Sequence, residues 1–211
     1  MKIELRQEEE KDYKIVENLT REAFWNVYSL GAEEHLLIHN LRKTKEFIQD
    51  LDFLAIYDEK IIGNIVYTKA KIIDFEKEHN VLTFGPVSVL PKFQNKGIGT
   101  KLIKYTIKLA KNMGYEAILI YGDPEYYKRF GFIASKEYNI TNKEGKFPEA
   151  LLVLELFPNA LNGIKGMFDE GTVYEVDEKE LEEFEKGFPK KEKLKTPTQE
   201  RFNELSNSYY S

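Results

Sequence analysis

The chain has 211 residues, of which 42% are apolar, 13% aromatic and 32% charged, and it contains no cysteine. This length fits one domain with an appendage, and the composition is typical of a soluble globular protein. The lack of cysteine excludes disulfides, thiolate catalysis, cysteinyl zinc sites and iron–sulfur clusters. With 36 acidic against 31 basic side chains, the formal charge of −5 argues against nucleic acid as the main partner.

The sequence shows no signal for membrane insertion or export. No apolar run approaches the roughly 20 residues that a membrane span needs. The first twelve residues, MKIELRQEEEKD, are acidic, which is the opposite of a signal peptide. We therefore expect a cytoplasmic protein with no membrane partner.

The spacing of apolar residues predicts alternating strands and helices. In chain order it predicts a strand over 2–5, helices over 12–27 and 33–47, strands over 51–57, 61–73 and 81–89, a helix over 98–113, a strand over 117–121, a short helix over 124–130, and strands from 132 and over 151–156. Asp12 is placed to cap the first helix, and Gly114 is placed to end the third. This order predicts an α/β (α+β) fold, with helices on both faces of a mixed sheet.

The composition changes near the end of the chain. After Val176 the sequence is highly charged and contains two prolines, and Leu181, Phe184 and Phe188 are spaced to form one helical face. We expect a main domain over residues 1–160. Residues 161–211 are predicted to form a partly helical, peripheral extension that is not an independent domain.

The most informative segment is a glycine-rich turn between a strand and a helix. It reads Gln94-Asn95-Lys96-Gly97-Ile98-Gly99-Thr100. Such a turn leaves backbone N–H groups unpaired at a helix N-terminus, where the helix dipole favours an anion, and glycines allow close approach. The turn therefore predicts a phosphate site.

Two common phosphate-binding patterns do not fit this turn. A dinucleotide-binding fingerprint needs a third glycine where the chain has Leu102. A Walker A loop needs a glycine at Gln94 and then Lys-Ser/Thr, whereas the chain has the reversed order Thr100-Lys101.

A third pattern fits at every position. It is Gln/Arg-x-x-Gly-x-Gly/Ala after a strand that ends in Val-x-Pro, here Val89-Leu90-Pro91. With this loop the sequence resembles the GNAT (GCN5-related N-acetyltransferase) superfamily over about residues 2–156. A second motif, GDPEYYKRFGF over Gly122–Phe132, is similar to one bacterial subgroup of predicted N-acetyltransferases.

The resemblance implies a GNAT fold and an acetyl-CoA site. The fold has a mostly antiparallel sheet of about six to seven strands with a splayed parallel pair, and the coenzyme lies where the pair splays. Main-chain groups of the fourth strand pair with its pantetheine, and the turn holds its pyrophosphate. The implied coenzyme-binding residues are Val87, Ser88, Val89, Gln94, Asn95, Lys96, Gly97, Ile98, Gly99 and Thr100. Lys96 and Lys101 either add charge near the phosphates or are merely solvated.

The resemblance further implies transfer of an acetyl group to a primary amine by direct attack in a ternary complex. Tyr127 matches the family tyrosine that hydrogen-bonds the coenzyme sulfur, and it is assigned as the acid, the alternative being an aromatic core residue. Tyr126 is assigned to packing. A phenol with a pKa near 10 can protonate a thiolate whose conjugate acid is at about 8.5. The oxyanion is assigned to the N–H of Val87 or Val89.

The general base is left open by the sequence. Many relatives carry a glutamate on the fourth strand, but residues 81–87 contain no carboxylate. Asp123 is close in sequence to the splay, although capping the next helix is its favoured role. Glu33, Glu34, water or no base at all are the remaining alternatives.

Two further pairs of residues each have two interpretations. His35 and His39 have a spacing that suits a metal on a helix, but no third ligand is evident, so structural histidines are favoured and no metal is predicted. Trp25 and Tyr28 either line an acceptor pocket or pack in the core.

The missing strand carboxylate also leaves open a second function, a non-catalytic acetyl-CoA- or CoA-binding regulatory module. Transfer of a longer acyl group is a third possibility. The sequence does not identify the amine acceptor. It also leaves the oligomeric state open, a homodimer included.

Overall fold

The computed structural model describes residues 1–75 and 77–210. The described residues form six α-helices: α1 Tyr13–Phe24, α2 Glu34–Leu41, α3 Ile98–Asn112, α4 Pro124–Tyr127, α5 Glu178–Glu185 and α6 Pro197–Ser206. They also form eleven strands: β1 Glu4–Gln7, β2 Phe53–Tyr57, β3 Lys60–Asp74, β4 Lys77–Val89, β5 Ala117–Tyr121, β6 Ile133–Ala134, β7 Ile140–Thr141, β8 Phe147–Pro148, β9 Leu151–Glu155, β10 Gly166–Asp169 and β11 Tyr209–Tyr210.

One mixed sheet organises the fold. Its main path has seven strands in the order β1-β2-β3-β4-β5-β9-β6, and the short strands β10 and β7 extend it beside β3. Along the main path only β4 and β5 are parallel. The predicted α/β class with a mostly antiparallel sheet and one parallel pair is confirmed.

Helices cover both faces of this sheet because adjacent strand residues point to opposite sides. On one side, Val16 of α1 and Ile38 of α2 are buried against Leu54. On the other side, Leu102 of α3 is buried in the cluster that contains Phe53, the neighbour of Leu54 in β2. The helices thus lie as the predicted fold requires.

The first two helices are shorter than predicted. α1 ends at Phe24 rather than at residue 27, and α2 ends at Leu41 rather than at residue 47. The hydroxyl of Thr44 donates to the Leu41 carbonyl at 2.8 Å, in place of a further helical bond, and Phe47 forms a β-bridge with Thr68. Pairing with the sheet therefore overrides the helical pattern after Leu41.

Asp12 occupies the N-cap position of α1, but its carboxylate does not cap the helix. The carboxylate accepts hydrogen bonds from Arg6 at 2.6 and 2.9 Å and from the N–H of Glu9 at 3.0 Å. The hydrogen bond with Arg6 lowers the pKa of Asp12. Its predicted capping role is wrong, because the adjacent turn and strand β1 take the carboxylate.

A β-bulge bends β4 before its last residues. Phe84 faces Tyr67 and Val87 faces Ile65 on β3, so Gly85–Pro86 places two residues opposite one. The peptide bond between them is cis. Bulges of this kind kink a strand and increase its twist.

The parallel strands separate beyond this bend. The pair β4–β5 has one register pair, Leu82 with Ile118, and the segment Val87–Val89 continues beside β3. A gap therefore opens between the ends of β4 and β5, as the resemblance implies.

Residues 161–211 are joined to the fold at several places. β10 pairs with Lys71–Ile73 of β3, and β11 pairs with β8. On α5, Phe184 lies with its ring 4.8 Å from that of His39. The ring of Phe188 lies 5.0 Å from that of His35, so two residues of the predicted apolar face pack against α2.

None of the helices in the two described ranges is both long enough and apolar enough to cross a bilayer.

Candidate active site

The glycine-rich turn leaves an open helix N-terminus beside the end of β4. Gly97 is the N-cap of α3 and has φ 79° and ψ 9°, a left-handed conformation that favours glycine. Among the described residues no side chain caps this helix, and the turn from Gln94 to Gly97 is exposed. The first-turn N–H groups, among them those of Ile98, Gly99 and Thr100, are therefore free to bind an anion.

Gln94 fixes the turn to the strand before it. Its side-chain Nε2 donates to the carbonyl oxygen of Val89 at 3.0 Å. The next residue, Asn95, also has a left-handed conformation, with φ 58°. The two residues thus shape the predicted anion loop.

The two lysines of this region bind protein carbonyls. Lys96 Nζ donates to the Lys92 carbonyl at 2.7 Å, within the turn. Lys101 Nζ donates to the carbonyl of Ile3, ahead of β1. Lys96 therefore remains beside the loop, whereas Lys101 is held on the side of β1.

Val87 and Val89 direct main-chain groups into the gap between β4 and β5. The N–H of Leu90 donates to the carbonyl of Ile62 on the β3 side at 3.0 Å. Because main-chain direction alternates along an antiparallel strand, Ser88 also faces β3, and its two neighbours face away. The bond from Gln94 to the Val89 carbonyl agrees with this alternation.

The side chain of Ser88 is bonded to α1 rather than facing the gap. Its side chain is fully buried, and its hydroxyl donates to the hydroxyl of Thr20 on α1 at 3.0 Å. Of the three predicted strand residues, Val87 and Val89 therefore face the gap and Ser88 does not.

Tyr127 lies at the end of α4 in a cluster of aromatic rings. Its ring centroid is 5.9 Å from that of Phe84 and 5.7 Å from that of Phe132. Burial is the main cause that raises the pKa of its phenol, and Tyr28 is the first of the neighbouring tyrosines that add to this effect. The phenol is therefore protonated at neutral pH, as a proton donor must be.

Gly122 makes room for this tyrosine. A Cβ on Gly122 would lie 2.3 Å from Cε2 of Tyr127. We expect Gly122→Ala to push the ring aside, lower stability by about 1–3 kcal/mol and reduce any turnover that depends on Tyr127. Thermal unfolding and turnover measure the two effects. The same substitution in a Tyr127→Ala background is the control, and an equal loss of stability there would contradict this explanation.

Tyr126, assigned to packing from the sequence, lies next to the anion loop. Its hydroxyl is 3.3 Å from the place where a Cβ on Gly99 would stand, and its ring lies 4.6 Å from the guanidinium of Arg129. The only sequence feature that could have indicated this place for Tyr126 is the pair of adjacent tyrosines, Tyr126 and Tyr127.

The carboxylates near the splay have different roles. Asp123 accepts a hydrogen bond from the N–H of Glu125 at 2.9 Å and so caps α4, as favoured from the sequence. Burial raises the pKa of Glu34 to about 7, although its carboxylate accepts a hydrogen bond from the N–H of Glu33 at 3.1 Å. Burial raises the pKa of Tyr28, and the negative charges of Glu34 and Asp123 raise it further, so these three groups share one region.

A cavity of about 380 Å³ adjoins this region. Tyr28, Gly122 and Asp123 are among its lining residues, together with Phe202 and Tyr209 from the extension. Sequence analysis did not assign these last two residues to a site. A second cavity, of about 470 Å³, is lined by residues between 137 and 165 and contains none of the predicted site residues.

Trp25 and Tyr28 were predicted together, either as lining of an acceptor pocket or as core residues, and the structure gives them different places. Tyr28 lines the 380 Å³ cavity. Trp25 donates from Nε1 to the carbonyl of Glu192 at 2.8 Å, and its ring lies 4.2 Å from the guanidinium of Arg21. Trp25 therefore holds the extension against α1.

His35 and His39 both contact carboxylates. His35 lies 2.9 Å from a carboxylate oxygen of Glu185, and His39 lies 2.8 Å from one of Glu17. In the part of the chain that the structure describes, no group of three or more histidine or acidic side chains is arranged to hold a metal ion.

Comparison with known families and sequences identifies relatives of the chain. The model of the acetyltransferase (GNAT) family matches residues 9–132. The chain is 29% identical over 101 residues to the uncharacterized N-acetyltransferase YjhQ of Escherichia coli, an alignment covering 48% of the chain and 56% of YjhQ. It is 27% identical over 138 residues to the uncharacterized N-acetyltransferase YhbS of the same species, covering 64% of the chain and 80% of YhbS.

Solved structures show the same architecture. The crystal structure of Escherichia coli YhbS in complex with CoA has a TM-score of 0.73 at 22% identity, covering 83% of this chain and 93% of that one. A GNAT family acetyltransferase from Brucella melitensis, solved in complex with acetyl-CoA, has a TM-score of 0.67 at 25% identity. That alignment covers 82% of this chain and 99% of that one.

Proposed function

Because the chain belongs to the GNAT family of acetyltransferases, we propose that it transfers an acetyl group from acetyl-CoA to a primary amine by direct attack in a ternary complex. The observation that most supports this proposal is the uncapped N-terminus of α3 beside the free edge of β4. An anion loop next to unpaired strand groups suits a ligand that carries both a diphosphate and amides.

In this proposal the turn and the strand hold different parts of acetyl-CoA. The first-turn N–H groups of α3, from Ile98 to Thr100, together with the preceding loop, bind the pyrophosphate. Val87 and Val89 pair with the pantetheine amides, since their main-chain groups face the gap. Both structures solved with CoA or acetyl-CoA share this fold, which supports the assignment.

The transfer itself uses few groups of the chain. The amine nitrogen bonds to the thioester carbonyl carbon, and the carbon–sulfur bond breaks. The phenol of Tyr127 gives its proton to the departing thiolate, and the N–H of Val87 or Val89 donates to the developing oxyanion.

Glu34 is the base in this proposal. It is one of the candidates left open by the sequence, and burial raises its pKa to about 7, where a base works well at neutral pH. The charge of Glu34 raises the pKa of Tyr28, and Tyr28 in turn raises the pKa of Tyr127. These effects support a shared region for the base and the acid. Asp123 is less suited because its carboxylate caps α4.

The proposal is tested by two measurements on the full chain. Calorimetry with CoA and acetyl-CoA is expected to show saturable binding, and thiol release with a panel of primary amines is expected to show turnover. If neither form of the coenzyme binds, the proposed function is wrong. Binding without thiol release from any amine would favour the regulatory module, and higher turnover with a longer acyl-CoA would favour the other alternative.

Gly97→Ala is expected to weaken coenzyme binding. A Cβ there would meet no heavy atom of the described residues within 4 Å and would project into the space assigned to the anion. We expect Kd for CoA to rise about tenfold, the loss of a hydrogen bond to a charged group. Calorimetry measures this change. Gly163→Ala is the matched control, because Gly163 has a similar φ of 78° and equally open surroundings but lies outside the site. Equal changes in both variants would contradict the assignment.

A further inference from the structure

The 380 Å³ cavity is built by two distant parts of the chain. Tyr28, Tyr121 and Asp123 come from the main domain, whereas Phe202 and Tyr209 come from α6 and β11. A volume of this size falls within the range of small-molecule sites, about 300–1,000 Å³. The extension therefore forms one wall of the cavity.

Hydrogen bonds fix this wall to the main domain. Gln199 of α6 is buried, and its Nε2 donates to the carbonyls of Asn26 at 3.1 Å and Ser29 at 2.9 Å. Upstream, the Glu192 carbonyl accepts from the side chain of Asn26 at 3.1 Å. The loop between α1 and α2 thus sets where α6 lies.

The lining of the cavity is mainly aromatic. The rings of Tyr28 and Phe202 are 4.6 Å apart, and Tyr121 and Tyr209 add two more faces. All four side chains remain between 40% and 45% exposed, so an apolar ligand would remove substantial aromatic surface from water. Aromatic faces also attract cations, as Lys146 already shows over the ring of Tyr209 at 5.0 Å.

The charge of the cavity suits one cation. Asp123 is the one acidic residue among its described lining residues, and Arg201 reaches its carboxylate at 3.5 Å from an exposed position. Burial raises the pKa of Tyr121, and two carboxylates outside the lining, Glu170 and Glu144, are close enough to raise it further. A single ammonium group would take the place of the exposed Arg201 guanidinium as the partner of Asp123, whereas a polyamine would need several spaced carboxylates.

The cavity lies next to Tyr127, with Gly122 between them. Gly122 lines it, and the ring of Tyr127 lies directly against Gly122, where a Cβ would be 2.3 Å away. An amine bound at the Asp123 end would therefore lie beside the tyrosine proposed as the acid.

We propose that this cavity is the acceptor site and that the acceptor is a monoamine with an aromatic group, an arylalkylamine. Its ring lies among Tyr28, Tyr121, Phe202 and Tyr209, and its ammonium group points to Asp123. This inference rests on the proposed function. In the reaction the ammonium group gives one proton to the base, and its nitrogen then bonds to the acetyl carbon. The carbon–sulfur bond breaks, CoA leaves as the thiol with the proton of Tyr127, and the second proton that the nitrogen loses returns to Tyr127.

The first test compares amines on the purified full chain. With acetyl-CoA, kcat/KM for 2-phenylethylamine is expected to exceed that for n-butylamine and for spermidine by about tenfold or more. Equal or higher values for either of the other amines would overturn the proposal. Phe202→Leu, which keeps an apolar side chain, is expected to lower kcat/KM for 2-phenylethylamine by about tenfold while that for n-butylamine stays unchanged.

Two controls separate this inference from the proposed function. Glu200→Gln changes an exposed residue of the same helix and is expected to leave both amines unaffected. If no amine releases thiol, calorimetry of 2-phenylethylamine with the wild-type chain and with Phe202→Leu still decides. Binding that the substitution weakens would support the cavity assignment although transfer failed, and no binding would overturn it.

Discussion

Tyr127→Phe is expected to lower kcat by about a hundredfold or more while the Kd for acetyl-CoA stays the same, a loss typical of removing a general acid. The substitution removes only the hydroxyl, so the ring keeps its contacts with Phe84 and Phe132. Burial raises the pKa of this phenol and so makes it a weaker acid, but the same apolar surroundings also raise the basicity of the departing thiolate. Thiol release under saturating acetyl-CoA measures kcat, and calorimetry measures binding.

Tyr126→Phe is the matched control for this experiment. Its ring lies 5.0 Å from that of Tyr127 in the same cluster, but its hydroxyl is placed at the start of α3. We expect this variant to keep the wild-type kcat. Unchanged turnover in Tyr127→Phe, or an equal loss in both variants, would remove Tyr127 from the proposed mechanism.

Local chemistry was enough to predict the elements around the coenzyme loop. Ala117–Tyr121 is a strand with the bounds predicted from its apolar run, and α3 begins at Ile98 as the two glycines indicate. In both places the local signal and the tertiary contacts agree. Where they disagree, as after Leu41, pairing of Phe47 with the sheet decides the structure.

Features that depend on distant contacts were not predictable from the sequence. Tyr28 and Phe202 are far apart in the chain, and no local sequence pattern predicts that their rings are in contact. Likewise, β10 joins the sheet through register with Lys71–Ile73, although its own sequence is short and begins with glycine. The cavity wall therefore emerges only when the extension is placed.

The strand alternation at β4 shows an intermediate case. The resemblance gave the segment Val87–Val89, but which main-chain groups face the gap depends on register with β3. The bond from Leu90 to Ile62 fixes that register and assigns Ser88 to the sheet. A family pattern thus indicates the segment, and hydrogen bonding selects the residues within it.

Glu34→Gln is expected to change how the rate depends on pH. The pKa of Glu34 is about 7, so its carboxylate can accept a proton from a bound ammonium group only above that pH. In the wild type, kcat/KM should rise with pH up to about 7 and then level off. The variant can use only the small neutral fraction of the amine, so its kcat/KM should fall about a hundredfold at pH 8 and keep rising toward the amine's own pKa.

A second measurement, independent of activity, checks the same group. Because burial raises the folded-state pKa of Glu34 above its ordinary 4.5, the protonated carboxyl favours the folded state, and that contribution is lost as pH rises through about 7. The Tm of Glu34→Gln relative to wild type should therefore be higher at pH 8 than at pH 5. Glu33→Gln, an exposed neighbour whose charge adds to this rise, is the control and should move both profiles only slightly toward lower pH. A Glu34→Gln variant that levels off near pH 7 as the wild type does would show that another group is the base.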